Sequence, residues 1–94
     1  MNKKFSDSPN TAVFTTKYVL ERNSPVLYVH HYEEDGAWSF FGDEECRDDD
    51  FRIIALEEMI GIDNSVLELS DMPSGFCAKR KDIASSWQVE RLDS

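Results

Sequence analysis

The chain has 94 residues, 40% hydrophobic and 12% aromatic, and its formal net charge at pH 7 is −9. This length supports one domain with a modest core, and the content of large apolar side chains is too high for a disordered chain. The negative charge disfavours binding to nucleic acid and to anionic membrane surfaces, because both would repel it.

The N-terminal residues 1–10 are polar and interrupted by Pro9, and they predict a mobile tail followed by a single domain over residues 11–94. This segment lacks the apolar run of a secretion signal. No apolar run in the sequence approaches the roughly 20 residues that cross a bilayer. We therefore expect a cytoplasmic protein.

The first half of the domain predicts three strands separated by turns. Residues 11–20 are rich in Val, Thr, Phe and Tyr, which favour strands. Asp35-Gly36 is a strong signal for a hairpin loop. The predicted strands cover residues 11–20, 26–32 and 37–41, with turns at 21–25 and 33–36.

The register of the second and third strands has two alternatives. A two-residue loop places His31 opposite Phe40, whereas a four-residue loop places it opposite Trp38. In either register Leu27 and Val29 share a face with these residues, because strand side chains alternate. The other face is also apolar, which suggests that it is either partly covered or exposed for binding. Its members are Val26, Tyr28, His30, Tyr32 and Phe41.

The second half predicts short helices between strands. Leu56, Met59 and Ile60 have helical spacing, and residues 63–65 offer a cap for a second short helix. The other predicted elements are a solvated loop at 42–50, a short strand at 51–55, a turn at 72–75 and strands at 76–79 and 86–91. The order predicts an α+β fold, a largely antiparallel sheet of about five strands with one or two short helices on one face.

Acidic residues are concentrated in the middle of the chain, next to its most aromatic stretch. Residues 33–71 contain fourteen acidic side chains and two arginines, whereas both flanks carry a slight positive charge. A negative field beside an apolar surface suits a basic protein partner. The candidate acidic contacts are Asp43, Glu44, Glu45, Asp48, Asp49 and Asp50.

The acidic loop and its aromatic neighbours each have a second interpretation. The acids form consecutive triplets rather than the alternating pattern of a calcium loop, so they are either a solvated loop or a docking surface. Tyr32 and Trp38 are candidate anchors, since such residues are enriched in binding hot spots. Trp38 could instead pack against the helix at residues 56–60.

The sequence lacks a recognisable catalytic constellation. No serine lies in a G-x-S-x-G elbow, and no Cys/His pair has familiar spacing. His30 and His31 are adjacent in a strand and point to opposite faces, so they cannot chelate one metal together. Cys46 and Cys77 are expected to be free thiols. We predict a non-enzymatic protein without a cofactor or metal.

Several segments together resemble a known group of proteins. Residues 38–44, Trp-Ser-Phe-Phe-Gly-Asp-Glu, are similar to a W-x-F-F-x-G-D-E segment, without its residue before the glycine. Residues 62–66 are similar to I-x-D-P-S-[IVL], with Asn64 in place of proline. Residues 72–75 and 78–80 are similar to [LM]-P-x-G and A-x-R. This order resembles small acidic bacterial proteins of unknown function, related to the immunity-protein-like domains found beside polymorphic toxins.

The resemblance implies a bacterial cytoplasmic protein that neutralises a toxin by binding it. It supplies no catalytic residues, and the contact surface is inferred from charge and hydrophobicity alone. A competing hypothesis is a small regulatory or housekeeping domain that acts as a homodimer and whose acids serve solubility. A defined dimer that survives high salt would favour this second hypothesis.

Overall fold

The computed structural model describes residues 4–92. Its main feature is an open six-stranded β-sheet. The strands lie in the order β4-β1-β3-β2-β5-β6, in which β1 and β3 are parallel and the other neighbours antiparallel. This confirms the α+β class, with six strands where about five were predicted. The strands are β1 (Ala12–Thr16), β2 (Tyr28–His31), β3 (Trp38–Phe41), β4 (Phe51–Ala55), β5 (Phe76–Lys79) and β6 (Gln88–Arg91).

Four short helices lie between the strands in the described part of the chain. They are α1 (Lys17–Glu21) and α2 (Leu56–Ile62), with 3₁₀ helices at Asp48–Asp50 and Asn64–Leu69. The cap predicted for the second short helix is Asp63, whose Oδ1 accepts a hydrogen bond of 3.0 Å from the backbone N–H of Ser65. No helix within the described residues is long and apolar enough to pass through a membrane.

The hydrophobic core lies on one face of the sheet. Alternation places Val13, Val29, Phe40 and Ala78 on this face, where all four are buried. The helices supply buried residues to the same core, in agreement with the prediction that they cover one face. Their contributions are Val19, Leu56, Met59, Val66 and Leu69.

The β2–β3 hairpin adopts the longer of the two predicted loops. His31 pairs with Trp38, and the backbone N–H of Tyr32 donates to the carbonyl of Ala37 at 2.9 Å. Gly36 has a φ of 71°, a backbone conformation that glycine adopts without a steric penalty. The alternative with His31 opposite Phe40 is therefore wrong.

The first predicted strand is too long, because the chain turns into α1 at Lys17. Thr16 caps this helix: its Oγ1 accepts a hydrogen bond of 3.3 Å from the backbone N–H of Val19. The strand propensity of Tyr18 and Val19 predicted a continuous strand over residues 11–20. The cap and the burial of Val19 in the core outweigh that local preference.

Phe5 and Pro9, which lie in the predicted tail, both contact the rest of the domain. Phe5 is buried in the core, and its ring meets that of Trp38 edge to face at 5.0 Å between centroids. The backbone N–H of Glu57 also donates to the carbonyl of Pro9 at 3.0 Å. These contacts attach residues 5–9 to the sheet and to α2. Residues 1–3 of the predicted tail and residues 93–94 of the predicted domain lie outside the described residues.

Candidate protein-binding site

The face of the sheet opposite the core presents large apolar side chains to solvent. The strand registers place Ile53, Phe14, Ser39 and His30 in one row across β4, β1, β3 and β2. Ile53 is 65% exposed, and Phe14 and Phe51 are also exposed. We call this surface the open face and define it by Phe14, Tyr28, His30, Phe41, Phe51 and Ile53.

A shallow pocket of about 380 Å³ lies at the end of the open face where β2 begins and β3 ends. The aromatic side chains that line it contact one another. The rings of Tyr28 and Phe41 stack at 5.6 Å, and His30 meets Phe41 and Tyr32 edge to face at 5.0 and 5.7 Å. We call this the aromatic pocket, and its lining is Tyr28, His30, Tyr32, Ser39, Phe41, Gly42, Asp43, Glu44, Cys46 and Phe51.

The acidic loop at residues 42–50 forms one margin of the aromatic pocket. It leads from the end of β3 to the start of β4, and a Cβ added to Gly42 would lie 2.6 Å from the Glu44 carboxylate and 2.9 Å from the carbonyl of Pro25. Glycine therefore allows the Glu44 side chain to lie close to the backbone. Glu44 is half-buried, whereas Asp43, Glu45, Asp48 and Asp49 are exposed.

Asp50 is an exception to the predicted exposed acidic surface. It is only 4% exposed, and its carboxylate accepts hydrogen bonds from the Arg47 backbone N–H at 2.8 Å and the Tyr18 hydroxyl at 3.4 Å. The ammonium of Lys17 lies 3.1 Å from its other oxygen. Asp50 therefore connects the acidic loop to α1, and its buried carboxylate argues against the predicted role as a partner contact.

The contacts of Asp50 predict a pH-dependent contribution to stability. The Arg47 backbone hydrogen bond, followed by the Lys17 contact, lowers the pKa of Asp50 below its ordinary value. A carboxyl group with a lower pKa when folded stabilises the protein above its unfolded pKa, and this contribution is lost as the pH falls through its folded pKa. Asp50→Asn should therefore lower the urea midpoint at neutral pH.

The difference between wild type and Asp50→Asn should shrink progressively as the pH falls below about 4, which urea unfolding followed by circular dichroism would measure. Asp49→Asn is the matched control, because Asp49 is adjacent and exposed. A difference that stays constant down to about pH 2 would contradict the assignment.

Trp38 does not lie on the open face. It is 1% exposed, and its ring stacks on His31 at 3.7 Å and on Phe40 at 6.2 Å on the core side of the sheet. Of the two interpretations of Trp38, this burial supports packing in the core and argues against an anchor role, because a partner could not reach the side chain. Tyr32, the other predicted anchor, is half-buried and lines the aromatic pocket.

The two adjacent histidines point to opposite faces of the sheet, as predicted. His31 is on the core side, where its Nδ1 donates to the carbonyl of Met72 at 2.8 Å. His30 is in the aromatic pocket, and burial lowers its pKa below the ordinary value. Burial therefore favours the uncharged form of the His30 ring.

Cys46 and Cys77 are not joined in a disulfide. Burial, and then the nearby carboxylates of Asp50 and Glu44, raise the pKa of Cys46. Its thiol is therefore protonated at neutral pH and is a poor nucleophile. Among residues 4–92, no three His, Cys, Asp or Glu side chains are grouped so that they could hold a metal ion.

Sequence reasoning missed part of the open face. Phe14, Phe51 and Ile53 were not singled out, although Phe51 and Ile53 alternate in a short apolar strand and must share a face. Alternation predicts that Tyr28, His30 and Phe41 share one face, but the sequence does not show that this face is the uncovered one.

Comparisons of the chain with protein-family models, curated proteins and solved structures found no match.

Proposed function

We propose that this chain is a non-enzymatic binding protein that docks a basic protein partner on its open face. We further propose that it is a bacterial cytoplasmic protein of the immunity type, and that the partner is a toxin that it neutralises by binding. One observation carries the binding proposal: an uncovered apolar face is bordered by the acidic loop. The toxin is suggested by the resemblance of residues 38–44, 62–66, 72–75 and 78–80.

The two parts of this surface have different effects on binding. Exposed carboxylates attract a basic partner over a distance, which raises the association rate and weakens with salt. The exposed carboxylates are those of Asp43, Glu45, Asp48 and Asp49. The apolar side chains of Phe14, Phe51 and Ile53 would be buried on contact and would slow dissociation.

The alternative is self-association of a regulatory domain through the same face. It is favoured by β4, an edge strand with an exposed apolar side chain at Ile53, because such edges pair readily with another chain. Charge argues against it: a symmetric dimer that includes the aromatic pocket would bring two acidic loops together. A basic partner avoids this repulsion.

Affinity capture with matched variants tests the proposal. The bait is the full chain, the source is lysate of the host cell, and bound proteins are identified by mass spectrometry. Ile53→Ser is compared with Ile83→Ser, because both isoleucines are highly exposed, at 65% and 71%, and Ile83 lies in the loop between β5 and β6. Ile53→Ser should weaken binding of the purified partner about tenfold, and Ile83→Ser should leave it unchanged.

The acidic loop is tested by the association rate. Asp48→Asn with Asp49→Asn should slow association at low salt and reduce its salt dependence, whereas Glu34→Gln with Glu57→Gln should change it less.

Equal binding by the two isoleucine variants would contradict docking on the open face. A salt-resistant dimer in light scattering that Ile53→Ser dissociates would instead support the homodimer.

A further inference from the structure

The aromatic pocket combines ring faces with carboxylates at a single position on the open face. Aromatic rings carry a negative electrostatic potential on their faces and attract cations. The walls contain Tyr28, Phe41 and Phe51, and the rim carries the carboxylates of Asp43 and Glu44. Both features attract positive charge, which gives the pocket a more specific chemistry than the rest of the open face.

We propose that the aromatic pocket receives the guanidinium group of an arginine side chain; the assignment of that arginine to a protein partner rests on the proposed function. The guanidinium lies against the aromatic rings and pairs with the carboxylate of Glu44. Asp43 adds negative charge at the rim. The pocket volume of about 380 Å³ is at the small end of ligand sites and fits one side chain.

The cations near the pocket do not occupy it. The lining contains no lysine or arginine among the described residues. Lys79, which pairs with Tyr28 across β2 and β5, places its ammonium 3.5 Å from the Glu90 carboxylate. Burial favours the uncharged form of the His30 ring, which limits its repulsion of a cation. A positive group supplied from outside would therefore find unneutralised carboxylates.

Arginine fits this environment better than other side chains. Its planar guanidinium stacks on aromatic rings and forms paired hydrogen bonds to a carboxylate, whereas a lysine ammonium is a compact and strongly hydrated charge. An apolar side chain would remove water from Glu44 without supplying a hydrogen-bond donor. An anion would be repelled by the carboxylates. The pocket thus discriminates by shape as well as by charge.

The proposal is tested by titrating the ¹⁵N-labelled full chain with N-acetylarginine amide and following amide chemical shifts. The matched probe is N-acetylcitrulline amide, which replaces the guanidinium with a neutral group of similar shape. The arginine probe should give saturable shifts in residues 28–32 and 39–46, with a dissociation constant on the order of 10 mM. N-acetylcitrulline amide should bind at least about tenfold more weakly. The affinity of N-acetyllysine amide should lie between those of the arginine and citrulline probes.

Variants locate the binding group. Glu44→Gln should weaken arginine binding several-fold, whereas Glu57→Gln in α2 should leave it unchanged. Phe41→Leu should also weaken arginine binding. If Phe41→Leu disturbs the spectrum of the folded protein, Tyr32→Leu is a second substitution of an aromatic residue that lines the pocket. Equal shifts with arginine and citrulline, shifts outside the pocket, or no saturable shift below about 100 mM would overturn the proposal.

This result can be separated from that of the capture experiment. Saturable arginine binding without an Ile53-dependent partner would support the pocket and overturn the proposed function. An Ile53-dependent partner without a preference for arginine over citrulline would support the proposed function and overturn the pocket assignment.

Discussion

Replacing Arg80 with alanine is expected to lower the free energy of unfolding by about 3 kcal/mol, because this change removes three hydrogen bonds and leaves the partly buried carboxylate of Asp63 without its partner. The Arg80 side chain is only 3% exposed, and its Nη2 lies 2.6 Å from Asp63 Oδ2. Its Nε donates to the carbonyl of Val26 and its Nη1 to Ser65 Oγ, each at 3.0 Å. The loss would be a large part of the stability of a domain this size, which is typically 5–15 kcal/mol.

Arg80 joins the sheet to the helical layer. It directly follows β5, whereas Val26 precedes β2 and Asp63 caps the 3₁₀ helix Asn64–Leu69. The guanidinium also lies 4.2 Å from the centroid of the Trp87 ring. One planar group thus satisfies three acceptors and covers an aromatic ring, a combination that a lysine ammonium cannot reproduce.

Urea unfolding of wild type, Arg80→Ala and Lys79→Ala would measure this effect. Lys79 is the matched control, because it is the preceding residue and forms an exposed ion pair with Glu90 at 3.5 Å. Such exposed pairs contribute about 0–1 kcal/mol. If Arg80→Ala does not fold, Arg80→Lys gives a measurable intermediate loss. An Arg80 effect no larger than that of Lys79 would contradict the structural role.

The elements that the sequence predicted well are those governed by local pattern. Alternation defined the faces of β2 and β3, and the spacing of Leu56, Met59 and Ile60 defined α2. Turn signals at Asp35-Gly36 and around Pro73 separated the strands. The fold class followed from the order of these elements, because each depends on neighbours a few residues apart.

The features that the sequence did not predict depend on contacts between distant residues. Asp48, Asp49 and Asp50 are identical in sequence terms, yet only Asp50 is buried, because the loop passes over the start of α1 where Lys17 lies. Phe5 stands alone in a polar segment and offers no periodicity. Its burial depends on Trp38, more than thirty residues away.

Which face of the sheet is exposed also depends on contacts between distant residues. Both faces of β2 and β3 carry apolar side chains, so alternation divides them into two sets without saying which set the helices cover. The answer depends on how α2 and the 3₁₀ helix Asn64–Leu69 return to the sheet. The structure decides between these alternatives: Trp38 is in the core, and His30 lies in the aromatic pocket.

Trp38→Ala is expected to cost about 3–5 kcal/mol of unfolding free energy and to leave the chain partly or fully unfolded. The ring fills the space between Phe5, His31 and Phe40, so its removal creates a cavity that these side chains cannot all close. Trp38→Phe keeps an aromatic ring and removes a buried indole N–H that has no hydrogen-bond partner among residues 4–92. Its cost should therefore be smaller, at about 1–2 kcal/mol.

The Trp38→Phe variant separates a core role from an anchor role. A core residue lowers the urea midpoint and leaves capture of the partner unchanged at temperatures where the variant is folded. Substitution of an anchor residue leaves the urea midpoint unchanged and weakens capture of the partner. We expect this result for Tyr32→Leu, because Tyr32 is partly exposed in the aromatic pocket. If Trp38→Phe abolished capture without lowering stability, the partner would have to reach the core side of the sheet. Docking on the open face would then be the wrong assignment.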